Sequence, residues 1–393
     1  MTAQRDLPHA RMRQTRLYLF GFVALGLIDA AIGPSLGPLA RSFGVDLAAV
    51  ASALVAMAVG RLLGSALSGR LYALPAPHRT LALGFAFSAL MALAITLTQS
   101  VPGMLVVGFG LGIVSSTVDV GSNTLIQWAH GERVGPYMNA LHVAFGIGGA
   151  LAPPTVAMSL QAVTGVQFAW AVVAALCLLT ALAALRTPAP PPSAAQAQGT
   201  KNKISPLVLL PLGVTFFLYV GAEASLVTWL TDYGVLMGMD RVGAATALAT
   251  GFWVTYIVGR LTAIALTRRI APLRVALGGL VLGALAAILF VLSSAHVEGG
   301  NAPLWVAVLA MGLGFGPVFP NAVSVAGARL GATSGLTSFL FVVAGAGATF
   351  WPWWVGQRID ATAGGVVPWV AAACMAGSFV GFSAFLLRTR QRL

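Results

Sequence analysis

The stretch VGRLLGSALSGRL, from Val59 to Leu71, returns as VGRLTAIALTRRI from Val258 to Ile270. Seven of the thirteen positions are identical, at an offset of 199 residues in a chain of 393. Each copy places one arginine, Arg61 or Arg260, inside an otherwise apolar run. A repeat at this spacing indicates a chain built from two related halves, with a charged side chain at the same point in each.

The composition is that of a membrane protein. Hydrophobic residues make up 58% of the chain and charged residues 8%, whereas about 25% of residues are charged in soluble domains. Many apolar runs reach the roughly 20 residues that a helix needs to cross a bilayer. These runs are continuous and do not alternate as barrel strands do, so the sequence predicts an all-α membrane protein.

We predict twelve spans, and they lie near residues 17–40, 47–69, 80–100, 103–128, 136–160, 166–185, 206–232, 243–267, 273–295, 303–328, 333–355 and 366–387. The segment 186–205 is rich in proline, alanine and glutamine and has no apolar stripe, which is typical of a linker. The predicted organisation is two six-helix bundles, 17–185 and 206–387, joined by this linker, with short tails at 1–16 and 388–393.

The net charge of +12 does not indicate a nucleic-acid partner, because the positions of the charges explain it. If the N-terminus is cytoplasmic, seventeen of the 22 Lys and Arg fall on the inside and three on the outside, with Arg61 and Arg260 inside spans. This asymmetry predicts that both termini are cytoplasmic. The first span is long and is followed by no small-residue cleavage site, so we expect residues 1–16 to be a cytoplasmic tail and not a signal peptide. The preference for arginine over lysine favours a bacterial inner membrane.

The repeat extends beyond the opening motif. GLG at Gly110–Gly112 returns at Gly312–Gly314, an offset of 202 that would place Asp119 opposite Asn321. The pattern Gly-x-Gly-x4-Pro, at 146–153, returns at 345–352 with an offset of 199. Parallel six-helix repeats are typical of alternating-access transporters, whose solute site lies between the halves near the midplane.

Several strings are similar to those of one known family. They are DVGSNTLIQW (119–128), MNALHVAFGIGGALAPP (138–154), YVGAEASLVTWLTDY (219–233) and GLGFGPVFPNAVSVA (312–326). Together with the twelve predicted spans, they resemble the fucose–proton symporter and sodium-dependent glucose transporter branch of the major facilitator superfamily. The loop signature of that superfamily keeps Arg70 here but lacks its acidic residue. The resemblance implies a monomeric solute transporter, and it implies a site role for Glu223 through the Tyr-x-Gly-x-Glu string.

Five charges inside predicted spans need an explanation, because a charge at the bilayer centre is costly. Arg61 and Asp119 lie at similar depths, which predicts an ion pair that is either structural or part of ion coupling. Asp29 has no basic residue at its depth on its own helix, and nearby glycines and prolines predict a broken or bending helix. We therefore predict that Asp29 binds the coupling ion, H⁺ or Na⁺.

In the second half, Arg260 is predicted to donate a hydrogen bond to Asn321, and the two arginines are predicted to be scaffold. Glu223, which aligns with Asp29 if five residues are inserted before Arg260, could serve either in ion coupling or in substrate binding.

The polar and aromatic residues favour a sugar as the solute. Asp119, Asn123 and Gln127 recur every four residues and share a helical face, while Asn139 and His142 share a face of the next span. Amides and carboxylates supply the donors and acceptors that a polyhydroxyl solute requires. The predicted substrate-binding set is Asn123, Gln127, Asn139, His142, Asn321 and an aromatic platform of Trp229, Tyr233, Trp253, Tyr256 and Trp351.

Other function classes fit the sequence less well. The chain has no metal-ligand spacing and no phosphate-binding glycine loop, so we expect neither an enzyme nor a bound cofactor or metal. One alternative is proton-coupled efflux of an amphipathic drug or lipid on the same fold. A second is a non-transporting receptor or scaffold, which would leave the cost of the intramembrane carboxylates unexplained.

Overall fold

The computed structural model describes residues 6–130, 135–162, 165–191, 205–294, 302–330 and 334–389. Within these ranges the secondary structure is helical, with a five-residue π-helix at Arg241–Ala245 before α8. The α-helices are α1 (Asp6–Phe43), α2 (Leu47–Tyr72), α3 (Pro77–Leu97), α4 (Val101–His130), α5 (Gly135–Gln161), α6 (Gln167–Leu185), α7 (Pro206–Leu236), α8 (Thr246–Leu266), α9 (Pro272–Ser294), α10 (Ala302–Phe315), α11 (Val318–Leu330), α12 (Ser334–Gly356) and α13 (Val366–Arg388).

The predicted all-α membrane fold is confirmed. Among the described residues, twelve helical segments are long and apolar enough to cross a bilayer, and α10 and α11 together form one of them. The chain divides into unit 1, Met1–Gln196, and unit 2, Ala197–Leu393. In unit 1, α1 packs on α5, α2 on α4 and α3 on α6. In unit 2 the same pairings recur as α7 on α12, α8 on α10 and α9 on α13.

Glycines allow the paired helices to touch backbone to backbone. A Cβ atom added at Gly148 of α5 would lie 2.0 Å from the carbonyl oxygen of Val23 on α1. A Cβ atom at Gly347 of α12 would lie 2.0 Å from the carbonyl oxygen of Phe217 on α7. The two crossings are therefore equivalent, and they relate α7 to α1 at an offset of 194 residues.

This packing places two carboxylates at equivalent positions. Asp29 lies six residues after Val23, and Glu223 lies six residues after Phe217. The offset agrees with the five-residue insertion that the sequence alignment required. Asp29 of unit 1 and Glu223 of unit 2 are thus counterparts.

The predicted alignment of the fourth and tenth spans is wrong. A Cβ atom at Gly112 would lie 1.9 Å from the carbonyl oxygen of Met57, and one at Gly316 would lie 2.3 Å from the carbonyl oxygen of Tyr256. Met57 and Tyr256 are 199 residues apart, but the two glycines are 204 apart. The GLG match at 202 is therefore out of register with the packing, and Asp119 is not the counterpart of Asn321.

The broken span is the tenth and not the first. α10 ends at Phe315 and α11 begins at Val318, because Pro317 has no N–H to continue the helical hydrogen bonds. The hydroxyl of Tyr219 donates a 2.7 Å hydrogen bond to the carbonyl of Phe315 at this break. By contrast, α1 runs uninterrupted through Pro34 and Pro38, so of the two predicted alternatives near Asp29, a broken or a bending helix, the broken helix is wrong.

α1 begins at Asp6, well before the predicted start of the first span. Its first turns and the start of α3 bind three consecutive carbonyl groups of the chain that leaves α6. Arg13 donates to the carbonyl of residue 186 at 3.3 Å, Gln14 donates to that of residue 188 at 2.8 Å, and Nδ1 of His78 donates to that of residue 187 at 2.6 Å. The predicted tail is thus partly a structural element that fixes the start of the linker, while residues 192–204 lie outside the described ranges.

The close crossing at Gly347 leads to a stability prediction. Replacing Gly347 by alanine should destabilise the protein by about 1–3 kcal/mol, because the added methyl group would overlap a backbone carbonyl that cannot rotate away. The matched control is Gly345→Ala on the same helix, where an added Cβ meets nothing within 4 Å. The measurement is the thermal unfolding temperature of each variant in detergent, and equal temperatures would contradict this packing.

Candidate functional site

Unit 1 contains a direct ion pair inside the membrane. Nη2 of Arg61, on α2, lies 2.6 Å from Oδ1 of Asp29, on α1. The predicted pair between Arg61 and Asp119 is therefore wrong, and so is the prediction that Asp29 has no basic partner. Depth along a helix does not say which face a residue occupies, and the long arginine side chain reaches across to the neighbouring helix.

Asp119 lies close to this pair without a positive partner of its own among the described residues. The side-chain amide of Asn123, one turn later on α4, donates to Oδ1 of Asp119 at 2.8 Å and to its backbone carbonyl at 3.0 Å. Asp119 also interacts electrostatically with both Asp29 and Arg61. We refer to Asp29, Arg61 and Asp119 as the unit 1 charge cluster.

The charge cluster is partly accessible. The side chain of Arg61 is 42% exposed and that of Asp29 is 20% exposed, although both lie within spans. A charge in contact with lipid tails would be costly. We therefore infer that these exposed surfaces face water and not lipid.

Unit 2 links its carboxylate to its arginine through a hydroxyl group. Tyr256 donates a 2.8 Å hydrogen bond to Oε1 of Glu223, and Nη2 of Arg260 donates a 2.5 Å hydrogen bond to the hydroxyl oxygen of Tyr256. The guanidinium carbon of Arg260 also lies 4.7 Å from the centre of the Tyr256 ring. We refer to this chain of three residues as the unit 2 bridge.

The predicted hydrogen bond from Arg260 to Asn321 is not formed in the described structure. Asn321 is buried, and its amide donates instead to the carbonyl of Pro317 at 2.7 Å. Arg260 uses Tyr256 as its acceptor. Asn321 thus stabilises the start of α11 and does not neutralise the arginine.

Most of the predicted aromatic platform is core. Trp229 is fully buried and donates its ring N–H to the carbonyl of Pro352 at 2.7 Å, and Tyr233 is fully buried edge-on against Phe290. Trp253 is also buried, with its ring centre 5.7 Å from that of Tyr256. These rings present no face to a solute in this structure.

Trp351 differs from the other predicted aromatic residues because it is partly exposed. It lies against α7 at Gly221, where an added Cβ would be 2.1 Å from its Cδ1 atom. This contact places the indole ring beside the helix that carries Glu223. Trp351 is therefore the member of the predicted platform that remains a candidate for solute contact.

The remaining predicted residues occupy several environments. Gln127 is exposed two turns after Asp119, and His142 is half-buried with its ring edge-on to Phe22. The side chain of Asn139 lies outside the described residues. Arg70 is exposed in the last turn of α2, away from the charge cluster.

Sequence reasoning missed two polar contacts in unit 2. Tyr219, one turn before Glu223, caps the break between α10 and α11. Asp232, near the end of α7, forms a buried ion pair with Arg241 at the start of the π-helix. Arg241 lies outside the predicted spans, since the eighth begins near residue 243, and the acidic residue nine positions earlier is the signal that could have identified its partner.

A comparison with known protein families agrees with this arrangement of helices. The model of the Major Facilitator Superfamily matches residues 18–352, most of the chain. The chain belongs to the major facilitator superfamily. The twelve apolar segments and the two units are those of a member of this superfamily.

Two curated relatives refine this placement. Human "Sodium-dependent glucose transporter 1" is 25% identical over 348 residues, which cover 77% of this chain and 65% of that protein. "Protein TsgA homolog" of Serratia proteamaculans (strain 568) is 22% identical over 254 residues, which cover 63% of this chain and 64% of the relative. This chain therefore spans less than two thirds of the length of each. The resemblance to the sodium-dependent glucose transporter branch is confirmed.

Solved structures show the same fold. A mutant of the nucleoside transporter NupG superposes with a TM-score of 0.74 at 16% identity, covering 95% of this chain and 99% of that one. The xylose transporter XylE from E. coli, in a partially occluded inward-open conformation, superposes with a TM-score of 0.74 at 14% identity. That match covers 96% of this chain and 99% of XylE.

The direct ion pair leads to a second prediction. The variants Arg61→Gln and Asp29→Asn should each lower the unfolding temperature, and the double variant should lower it by less than the sum. We expect a coupling free energy of about 1 kcal/mol, the upper range for a partly exposed pair.

The control cycle pairs Arg61→Gln with Asp119→Asn, two residues of the cluster that do not form a hydrogen bond with each other. Its coupling should be smaller. A larger coupling to Asp119 than to Asp29 would show that the contact between Arg61 and Asp29 is not the stable one.

Proposed function

We propose that the protein is a secondary active transporter that moves a monosaccharide in symport with H⁺ or Na⁺ by alternating access. The observation that carries this proposal is that two carboxylates of unit 1 share one arginine. The positive-inside asymmetry of Lys and Arg supports a multi-pass protein with both termini in the cytoplasm, and we propose that it acts as a monomer in a bacterial inner membrane.

The charges of unit 1 do not balance on their own. When all three are ionised, Asp29, Arg61 and Asp119 carry a net charge of −1. Such an excess in a membrane interior favours binding of one cation, because a neutral cluster costs far less than a charged one. Either a proton on a carboxylate or a bound Na⁺ would restore neutrality.

Asp119 is the carboxylate best suited to hold this cation. Its charge is not neutralised by a salt bridge in the described residues, and Asn123 fixes the orientation of its side chain. Asp29 already neutralises Arg61, but it can release the arginine when the cation arrives. We therefore assign ion coupling to Asp119 and Asp29 together.

Glu223 has a different environment. Unit 2 holds one carboxylate and one guanidinium, so the bridge of Glu223, Tyr256 and Arg260 is neutral without a further cation. We assign Glu223 to solute binding, together with Trp351 of the same unit. The carboxylate accepts hydrogen bonds from hydroxyl groups, and the indole ring offers an apolar face to a sugar ring.

The names of the similar proteins support a sugar as the solute. The human relative is named for glucose and sodium dependence, and one of the structures with the same fold is named for xylose. A second structure is named for nucleosides, which also carry a sugar ring. Polyhydroxyl solutes suit the polar groups of both units better than an amphipathic drug or lipid does.

Uptake into proteoliposomes tests the proposal. The wild type should accumulate radiolabelled D-glucose, L-fucose or D-xylose when a proton or sodium gradient is imposed. Asp119→Asn should reduce accumulation to the equilibrium level, because the variant cluster is neutral without the cation. Solute exchange in the absence of a gradient should continue in this variant, since exchange needs the solute site but no coupling ion.

Asp46→Asn is the matched control, because Asp46 caps the start of α2 outside the charge cluster. It should retain gradient-driven uptake. If the wild type accumulates none of the three sugars under either gradient, the sugar proposal fails. If Asp119→Asn still accumulates solute, the assignment of the coupling site fails.

A further inference from the structure

The direction of each hydrogen bond in the unit 2 bridge is fixed by chemistry. The guanidinium of Arg260 has donors only, so the hydroxyl oxygen of Tyr256 must accept the 2.5 Å bond from it. The single hydroxyl proton of Tyr256 is then directed to Oε1 of Glu223 at 2.8 Å. Tyr256 thus has a fixed polarity between the two charges.

The hydroxyl group is also fixed in space. The backbone of Tyr256 lies against the break after α10, where a Cβ at Gly316 would be 2.3 Å from its carbonyl oxygen. Its ring is buried, with the Phe252 ring centre at 6.1 Å and the guanidinium of Arg260 over one face. Because these contacts confine both the backbone and the ring of Tyr256, its hydroxyl cannot move away from Glu223 unless α8 also moves.

Unit 1 has no such hydroxyl at the equivalent position. The counterpart of Tyr256 is Met57, and there the arginine contacts the carboxylate directly. In unit 2 the tyrosine stands between arginine and carboxylate and occupies Oε1 of Glu223. The hydroxyl of Tyr219 also interacts with Glu223, but its 2.7 Å hydrogen bond goes to the carbonyl of Phe315, and the side chain of Glu223 is only half-buried.

We propose that Tyr256 is a positioning residue that orients Glu223 so that its second oxygen, Oε2, accepts a hydrogen bond from a hydroxyl group of the transported solute. This inference rests on the proposed function and extends it. Tyr256 acts through Glu223 and is not a stacking surface for the sugar ring. The hydroxyl of Tyr256, and not its ring, therefore sets the affinity for the solute.

Removing only the hydroxyl separates the two roles. Tyr256→Phe keeps the ring and its packing, so a stacking role predicts no change. A positioning role predicts that the KM for D-glucose exchange rises by about tenfold, the loss expected for one hydrogen bond to a charged group, while the maximal rate changes little. Glu223→Gln should raise KM at least as much, and the double variant should be no worse than Glu223→Gln alone.

Tyr72→Phe is the matched control. Tyr72 is a buried tyrosine at the end of α2, and its hydroxyl has no hydrogen-bond partner among the described residues. The control should keep the KM of the wild type. Size-exclusion profiles and unfolding temperatures of all variants show whether a change in KM reflects loss of folded protein.

A second measurement uses sugars and does not require a stable Tyr256 variant. Inhibition of exchange by the deoxy derivatives of D-glucose should reveal one hydroxyl whose removal weakens binding to the wild type. The same deoxy sugar should bind Glu223→Gln as well as D-glucose does, because the acceptor for that hydroxyl is impaired.

The outcomes are distinguishable. An unchanged KM in Tyr256→Phe, or a double variant whose effects add fully, overturns the positioning role while leaving sugar transport intact. A deoxy series that affects the wild type and Glu223→Gln equally overturns the contact with Glu223. If the wild type exchanges none of D-glucose, L-fucose and D-xylose, the proposed function fails, and the positioning role for a sugar fails with it.

Discussion

A charged side chain inside a bilayer must be neutralised or hydrated within the protein, since lipid tails can do neither. Five charges deep inside the predicted spans meet this requirement, and the way they are compensated helps to hold together the helices that carry them. Arg61 joins α1 to α2 through Asp29, and Arg260 joins α8 to α7 through Tyr256 and Glu223. The arginine of the repeated motif therefore links neighbouring helices in both units, but its partner is Asp29 in unit 1 and Tyr256 in unit 2.

The two units compensate their intramembrane arginine with different numbers of carboxylates. Their carboxylates occupy equivalent positions, as the crossings at Gly148 and Gly347 show. Unit 1 adds a second carboxylate, Asp119, to a direct pair, while unit 2 inserts a neutral hydroxyl into a single pair. An excess negative charge favours a cation, whereas a neutral, rigid bridge favours hydrogen bonding to an uncharged solute. We propose that this asymmetry divides ion coupling from solute binding.

The sequence was sufficient to predict what depends on composition and repetition. Long apolar runs predict the twelve spans, and the repeat alone relates Arg61 to Arg260. It was not sufficient to predict which side chains meet. Arg61 was matched to Asp119 by depth, but helix rotation and tilt, set by close contacts such as that of Gly112 with Met57, direct it to Asp29.

The burial of the aromatic residues could not be predicted from the sequence either. Trp229 and Trp351 both lie in predicted spans, yet one is fully buried and the other partly exposed, because burial depends on which neighbouring helix covers the ring. The break in the tenth span was also missed. Prolines occur in both α1 and the tenth span, and only tertiary packing determines which helix continues through them.

The unit 1 charge cluster lacks one positive charge, and the dependence of stability on cations reports this deficit. A cation that binds the folded state raises the unfolding temperature as its concentration increases. The measurement is the unfolding temperature of the detergent-solubilised wild type and Asp119→Asn, across a sodium series at fixed pH and a pH series without sodium. One of the two cations should stabilise the wild type, and Asp119→Asn should have lost this dependence. A wild type that responds to neither cation, or an Asp119→Asn variant that responds equally, would contradict it.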